Sequence, residues 1–143
     1  MNRQEMAVNR FMEGHRCSQA VLGAFAPEVG MDADLAGRIA MGLAGGSGVD
    51  GECGAVSAAY LVIGLKYGFS HPGDSARFQA VMGKIREFVA AFRKLHGGIN
   101  CRQLIGLDPF SEEGYREFVA RNLKETACRQ FVADAVVTLE TLL

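Results

Sequence analysis

The sequence predicts an all-α fold, a single-domain bundle of about six helices around a buried central one. Three observations carry that expectation. Apolar residues recur at helical spacing through nearly every segment, most clearly at Phe78, Val81, Met82, Ile85, Phe88, Val89 and Phe92. No stretch alternates apolar and polar residues as a half-buried strand does. One run, Ala55 to Leu65, is apolar on all sides and too long for an ordinary buried strand, so it reads as the central helix.

The elements follow in order. Asn2 to Gly14 places Met6, Val8, Phe11 and Met12 around one side, and Gly14 can end that helix. Cys17 to Phe25 is a second, stopped by Pro27 and Gly30. Asp32 or Asp34 can cap a third over Leu35 to Leu43. The central helix spans about Cys53 to Tyr67. Ser70-His71-Pro72-Gly73 is a turn, after which a long amphipathic helix runs from about Asp74 to Leu95 and ends at Gly97-Gly98. Asn100 can cap a short helix carrying Cys101 and Leu104. Ser111-Glu112-Glu113 opens another beyond Asp108-Pro109-Phe110, and the last runs from about Glu125 to Leu143.

Composition narrows the function classes. At 143 residues one domain, 1–143, is expected, and a hydrophobic share of 49% supplies a core. Net charge is −1 and the basic residues are dispersed, so the chain lacks the footprint of a nucleic-acid binder. Ala55 to Leu65 is too short to cross a bilayer, which argues against membrane insertion. Met1 to Gly14 has no apolar core of a signal peptide, so a cytoplasmic location is expected. Disulfides are rare there, which makes four cysteines more suggestive of metal or redox chemistry than of staples.

The most unusual stretch is Gly42 to Gly54, a glycine-dense loop emptying into Cys53. Asp50 is a plausible cap, placing Cys53 in the first turn of the central helix, where the helix dipole favours a thiolate. Gly46-Ser47-Gly48-Val49-Asp50-Gly51 matches G-x-G-x-x-G, but no strand precedes it and no βαβ unit surrounds it, so a dinucleotide site is rejected. A P-loop is excluded by the missing Gly-Lys-Ser/Thr ending. Gly46, Gly48, Gly51 and Gly54 remain candidates for close backbone approach to a cofactor or thiol substrate.

The cysteines are Cys17, Cys53, Cys101 and Cys128. None pairs at C-x-x-C spacing, so any joint site must be assembled by the fold from four separate elements. Arg16, Arg102 and Arg129 each adjoin one of them, and cationic neighbours stabilise thiolate. The histidines, His15, His71 and His96, read as surface residues near turns and helix ends. Hydrolase chemistry has no supporting arrangement of serine, histidine and carboxylates.

An early cysteine, a glycine-rich loop into Cys53-Gly54-Ala55-Val56-Ser57-Ala58, and two later single cysteines resemble the redox-active family named for a C…CGAxxG…C…C pattern. The resemblance extends over Asn100-Cys101-Arg102-Gln103-Leu104-Ile105-Gly106 and Cys128-Arg129-Gln130-Phe131-Val132. On that pattern Ala58 replaces the second glycine. The resemblance implies four functional cysteines and a redox role. Three readings stand open. Clustered cysteines do thiol–disulfide or electron-transfer chemistry, with Cys53 as a low-pKa thiolate and Cys17, Cys101 or Cys128 resolving it. Alternatively, all four thiolates hold an iron–sulfur cluster or a zinc ion. The third reading is an interaction protein with buried, inert cysteines. The redox partner is unspecified, and a homo-oligomer is compatible with the chain.

Overall fold

The structure, a computed structural model, describes residues 1–143. Eight helices follow in order: α1 (Arg3–Met12), α2 (Cys17–Phe25), α3 (Ala33–Met41), α4 (Gly54–Tyr67), α5 (Ser75–His96), α6 (Cys101–Ile105), α7 (Glu112–Ala120) and α8 (Arg129–Leu142). The fold is all-α, and its eight helices correspond to the eight segments read as helical in the sequence, two more than the six or so expected of the bundle as a whole. Capping side chains set most of the starts. Asn2, Asp32, Asp74, Asn100 and Ser111 each accept the backbone N–H three residues on. Asn2 and Glu5 exchange bonds in a capping box.

Three boundaries differ from expectation. α3 stops at Met41 instead of Leu43 because the chain soon turns left-handed, with Gly45, Gly46, Ser47 and Gly48 at φ of 62, 69, 57 and 70°. Asp50 does not cap α4. Its own φ is 61°, and Cys53 occupies the cap position at φ −49°, ψ 133°. The last helix begins at Arg129, after a wide π-turn over Lys124–Cys128 that starts close behind left-handed Asn122.

The centre is shared by α2 and α4. Ala55, Val56, Ala58, Ala59, Val62 and Ile63 of α4 are fully buried, which bears out its central place, although Leu65 near its end is exposed. α2 is buried along seven of its nine residues. Small residues here let the two helices approach closely. Phe25, Phe88 and Phe92 fill the larger spaces, Phe88 and Phe92 stacking at 5.9 Å. Each such ring contributes about 1.5–3 kcal/mol through burial alone. Arg3 ties α1 to the chain beyond α2 and to α8 through Glu28 at 2.6 Å and Glu140 at 3.1 Å, while lying 4.5 Å over the Phe25 ring. Close to Cys17, the buried Ser18 hydroxyl donates to Ala40 O at 2.7 Å and Gln19 to Gly37 O at 2.9 Å. These bonds lock the start of α2 onto α3.

Candidate functional site

Each cysteine sits where a helix begins. Cys17 is the first residue of α2, Cys101 the first of α6, and Cys53 immediately precedes α4. Cys128 ends the π-turn and leads into α8. All four line one cavity of about 610 Å³. Residues separated widely in sequence thus meet because four helix starts converge. A second concavity of similar volume, about 620 Å³ between α1 and α8, contains none of them.

The glycine loop and the start of α6 are clamped together by a single antiparallel bridge, Glu52 with Asn100. The Cys53 N–H donates to Ile99 O at 2.7 Å, and the Cys101 N–H donates to Gly51 O at 3.1 Å. Asn100 adds a side-chain bond to Asp50 O at 2.7 Å. Cys53 and Cys101 therefore flank the same backbone pair, and neither can shift without breaking it.

The glycines divide by role. Gly48 and Gly54 line the cavity, whereas Gly46 and Gly51 do not. Gly46 and Gly51 close the loop on itself, the Gly51 N–H donating to Gly46 O at 2.9 Å, and a Cβ on Gly46 would stand 2.7 Å from Gly51 O. At Gly54 a Cβ would meet the Cys17 sulfur at 2.5 Å and Leu43 O at 3.0 Å. The absent side chain at Gly54 is what lets the Cys17 sulfur rest against the start of α4.

Burial, not the helix ends, governs ionisation. The Cys53 thiol is pushed well up, first by burial and then by charge at Cys17. The N–H groups of Ala55 and Val56 oppose this with less effect. Cys101 is raised to about 11 by burial, then by Cys17, Asp108 and Asp50. Cys128 is raised to about 12 by burial, then by Cys17 and Cys101. The expectation of a low-pKa Cys53 is therefore overturned. A helix end supplies about 0.3–1 kcal/mol at an exposed site, less than one pKa unit, whereas burial moves a group by several units. Cys17 is the neighbour whose charge acts on all three other thiols. Of the adjacent arginines, Arg102 is 4.0 Å from Asp50 and Arg129 is 3.8 Å from Glu125, leaving Arg16 at the cavity. The Glu52 carboxylate lies beside the Tyr60 hydroxyl, whose ionisation is pushed up by burial first and by Glu52 second.

His15 is exposed and lines the cavity, its Nδ1 3.1 Å from Arg10 O, and His71 is exposed beside Phe69. His96 is not the surface residue expected. Its ring is 12% exposed, 2.8 Å from Asp134 and packed between Phe92 and Phe131. Phe11, Phe110, Tyr115, Phe118 and Lys124 also line the cavity, a grouping no local pattern signals because they come from three separate segments. No group of three or more His, Cys, Asp or Glu side chains is gathered as metal ligands would be.

Comparison with known proteins matches residues 15–142 to the family described as "Putative redox-active protein (C_GCAxxG_C_C)". No curated protein and no solved structure matched. The matched residues include Cys53 to Ala58, with Ala58 where the resembled pattern has its second glycine. The Ser57 hydroxyl donates back to Cys53 O at 3.3 Å and to Gly54 O at 3.4 Å, within the first turn that supports the site. With nearly its whole length matched and its four cysteines on one cavity, the chain belongs to this C_GCAxxG_C_C family.

Proposed function

We propose that this protein carries out thiol–disulfide exchange, with Cys17 as the attacking thiol and one of Cys53, Cys101 and Cys128 as its resolving partner. The observation that carries the reading is the placement of four thiols on one cavity, with the Cys17 sulfur resting against the start of α4. Cys17 is half-buried beside an unpaired arginine, a setting that suits a reactive thiol. Burial holds the other three protonated.

The Cys17 thiolate attacks one sulfur of a substrate disulfide. A Cys17–substrate disulfide forms, and the other substrate sulfur leaves as a thiolate that takes a proton. The charge at Cys17 is then gone, which removes one of the causes holding the neighbouring thiols protonated. A resolving thiol loses its proton and attacks the Cys17 sulfur, closing an intramolecular disulfide and releasing the second substrate thiol. Two protein thiols are oxidised by two electrons, and one substrate disulfide becomes two thiols. A separate reductant in the cell, a redox partner of the dithiol class, must restore the pair. No helix is long and apolar enough to cross a membrane, and a reducing cytoplasm would suit this cycle.

The test uses glutathione disulfide on the reduced protein and on its four single Cys→Ser variants, read by mass spectrometry. Cys17→Ser should lose exchange, and loss of the resolving cysteine should trap glutathione on Cys17. Full exchange by Cys17→Ser would defeat the assignment. Anaerobic loading with zinc, or with iron and sulfide, checks the metal reading. Tight stoichiometric binding that fails in all four variants would replace exchange with a tetrathiolate centre.

A further inference from the structure

The charged side chains lining the cysteine cavity are all of one kind: Arg16, Lys124 and, when protonated, His15. No carboxylate lines it. Neither Arg16 nor Lys124 forms an ion pair, although the arginines beside Cys101 and Cys128 both do. Lys124 is half-buried and held 5.4 Å over the Phe11 ring. The rest of the wall is largely apolar and aromatic, with Phe11, Leu104, Phe110, Phe118 and Phe131. A volume of about 610 Å³ lies within the usual range for small-molecule sites.

We infer that this cavity takes a small molecule with an aromatic or other apolar body and an anionic group, the anion received by Arg16 and Lys124. The aromatic wall removes the apolar body from water. Two cations without carboxylate partners make that wall complementary to negative charge. Asp50 and Asp108 act on Cys101 from outside the lining. They disfavour an anion at the Cys101 end and so direct it toward Arg16 and Lys124. The body of the ligand then lies over Cys17. This inference rests on the redox reading only for what the bound molecule does there; its binding stands apart from it.

The probe is 8-anilinonaphthalene-1-sulfonate, an aromatic anion, compared with neutral N-phenyl-1-naphthylamine. Both are titrated by fluorescence into the reduced full-length protein, with far-UV circular dichroism confirming the fold. The sulfonate should bind saturably and slow alkylation of Cys17 by iodoacetamide. The Arg16→Gln/Lys124→Gln double variant should bind it roughly tenfold more weakly, or worse, with little change for the neutral probe. Arg16→Lys/Lys124→Arg, which keeps both charges, should retain binding. Equal affinity of the sulfonate for parent and double variant overturns the inference. So does parent affinity for the neutral probe matching that for the sulfonate, or sulfonate binding that leaves Cys17 unprotected, as would occur in the α1–α8 concavity. Exchange of Cys17 with glutathione disulfide is scored separately. Exchange without sulfonate binding overturns the ligand class and leaves the redox reading. Binding that protects Cys17, without exchange by any cysteine, supports the ligand class and overturns the redox reading.

Discussion

Replacing Gly54 by alanine tests the contact on which the site is built. The new Cβ would stand 2.5 Å from the Cys17 sulfur, 3.0 Å from Leu43 O and 3.2 Å from Ala44 Cα. Ordinary contact distances begin near 3.5 Å, so the sulfur must retreat by about 1 Å. The two backbone neighbours have little freedom to give. Overpacking of this kind costs about 1–3 kcal/mol, and the better helix propensity of alanine returns up to about 1 kcal/mol. A net loss of roughly 1–2 kcal/mol lowers the melting temperature by about 3–8 °C in a domain of this size. The same change in a Cys17→Ala background should cost less, since the closest clash is gone. Thermal unfolding of the four proteins in this cycle gives the coupling, expected at about 1 kcal/mol. Cys17 alkylation should also change rate in Gly54→Ala. An identical cost in both backgrounds, with unaltered Cys17 reactivity, would refute the packing argument.

Two further predictions concern stability. Ser47, exposed at φ 57° within the left-handed turn, should be replaceable by glycine with a gain of up to about 1 kcal/mol, whereas Ser47→Val should lose at least as much; urea unfolding of both variants decides it, and a stabilising valine would contradict the strain. The thiols of Cys101 and Cys128, raised from 9.0 to about 11 and about 12, remain protonated in the folded chain at pH values where the unfolded chain has ionised. Their contribution is fully present below about pH 9 and is lost as pH rises through 11 to 12. The reduced protein should therefore lose stability across that window, and Cys101→Ser and Cys128→Ser should each flatten the fall; parallel pH curves for parent and variants would rule this out.

Helix identity was legible because it depends on local patterns. The spacing of Phe78 to Phe92, the caps Asp32, Asp74, Asn100 and Ser111, and the breaker at Gly97 all act within a few residues of themselves. The four cysteines were legible as candidates through their residue type, their single occurrences and their family resemblance. Their meeting was expected only through that resemblance, because nothing local to Cys17 encodes its approach to Gly54, or Cys53 its bridge to Ile99. The cap at Asp50 failed for the same reason: Asn100, far along the chain, takes the Asp50 carbonyl and helps hold that residue left-handed, passing the cap position to Cys53. Ionisation was equally out of reach. Sequence alone determined that these were thiols beside arginines and helix starts, all features that favour thiolate. Tertiary structure alone decided that burial outweighs them at Cys53, Cys101 and Cys128, since removal of water from a charge depends on every element packed around it.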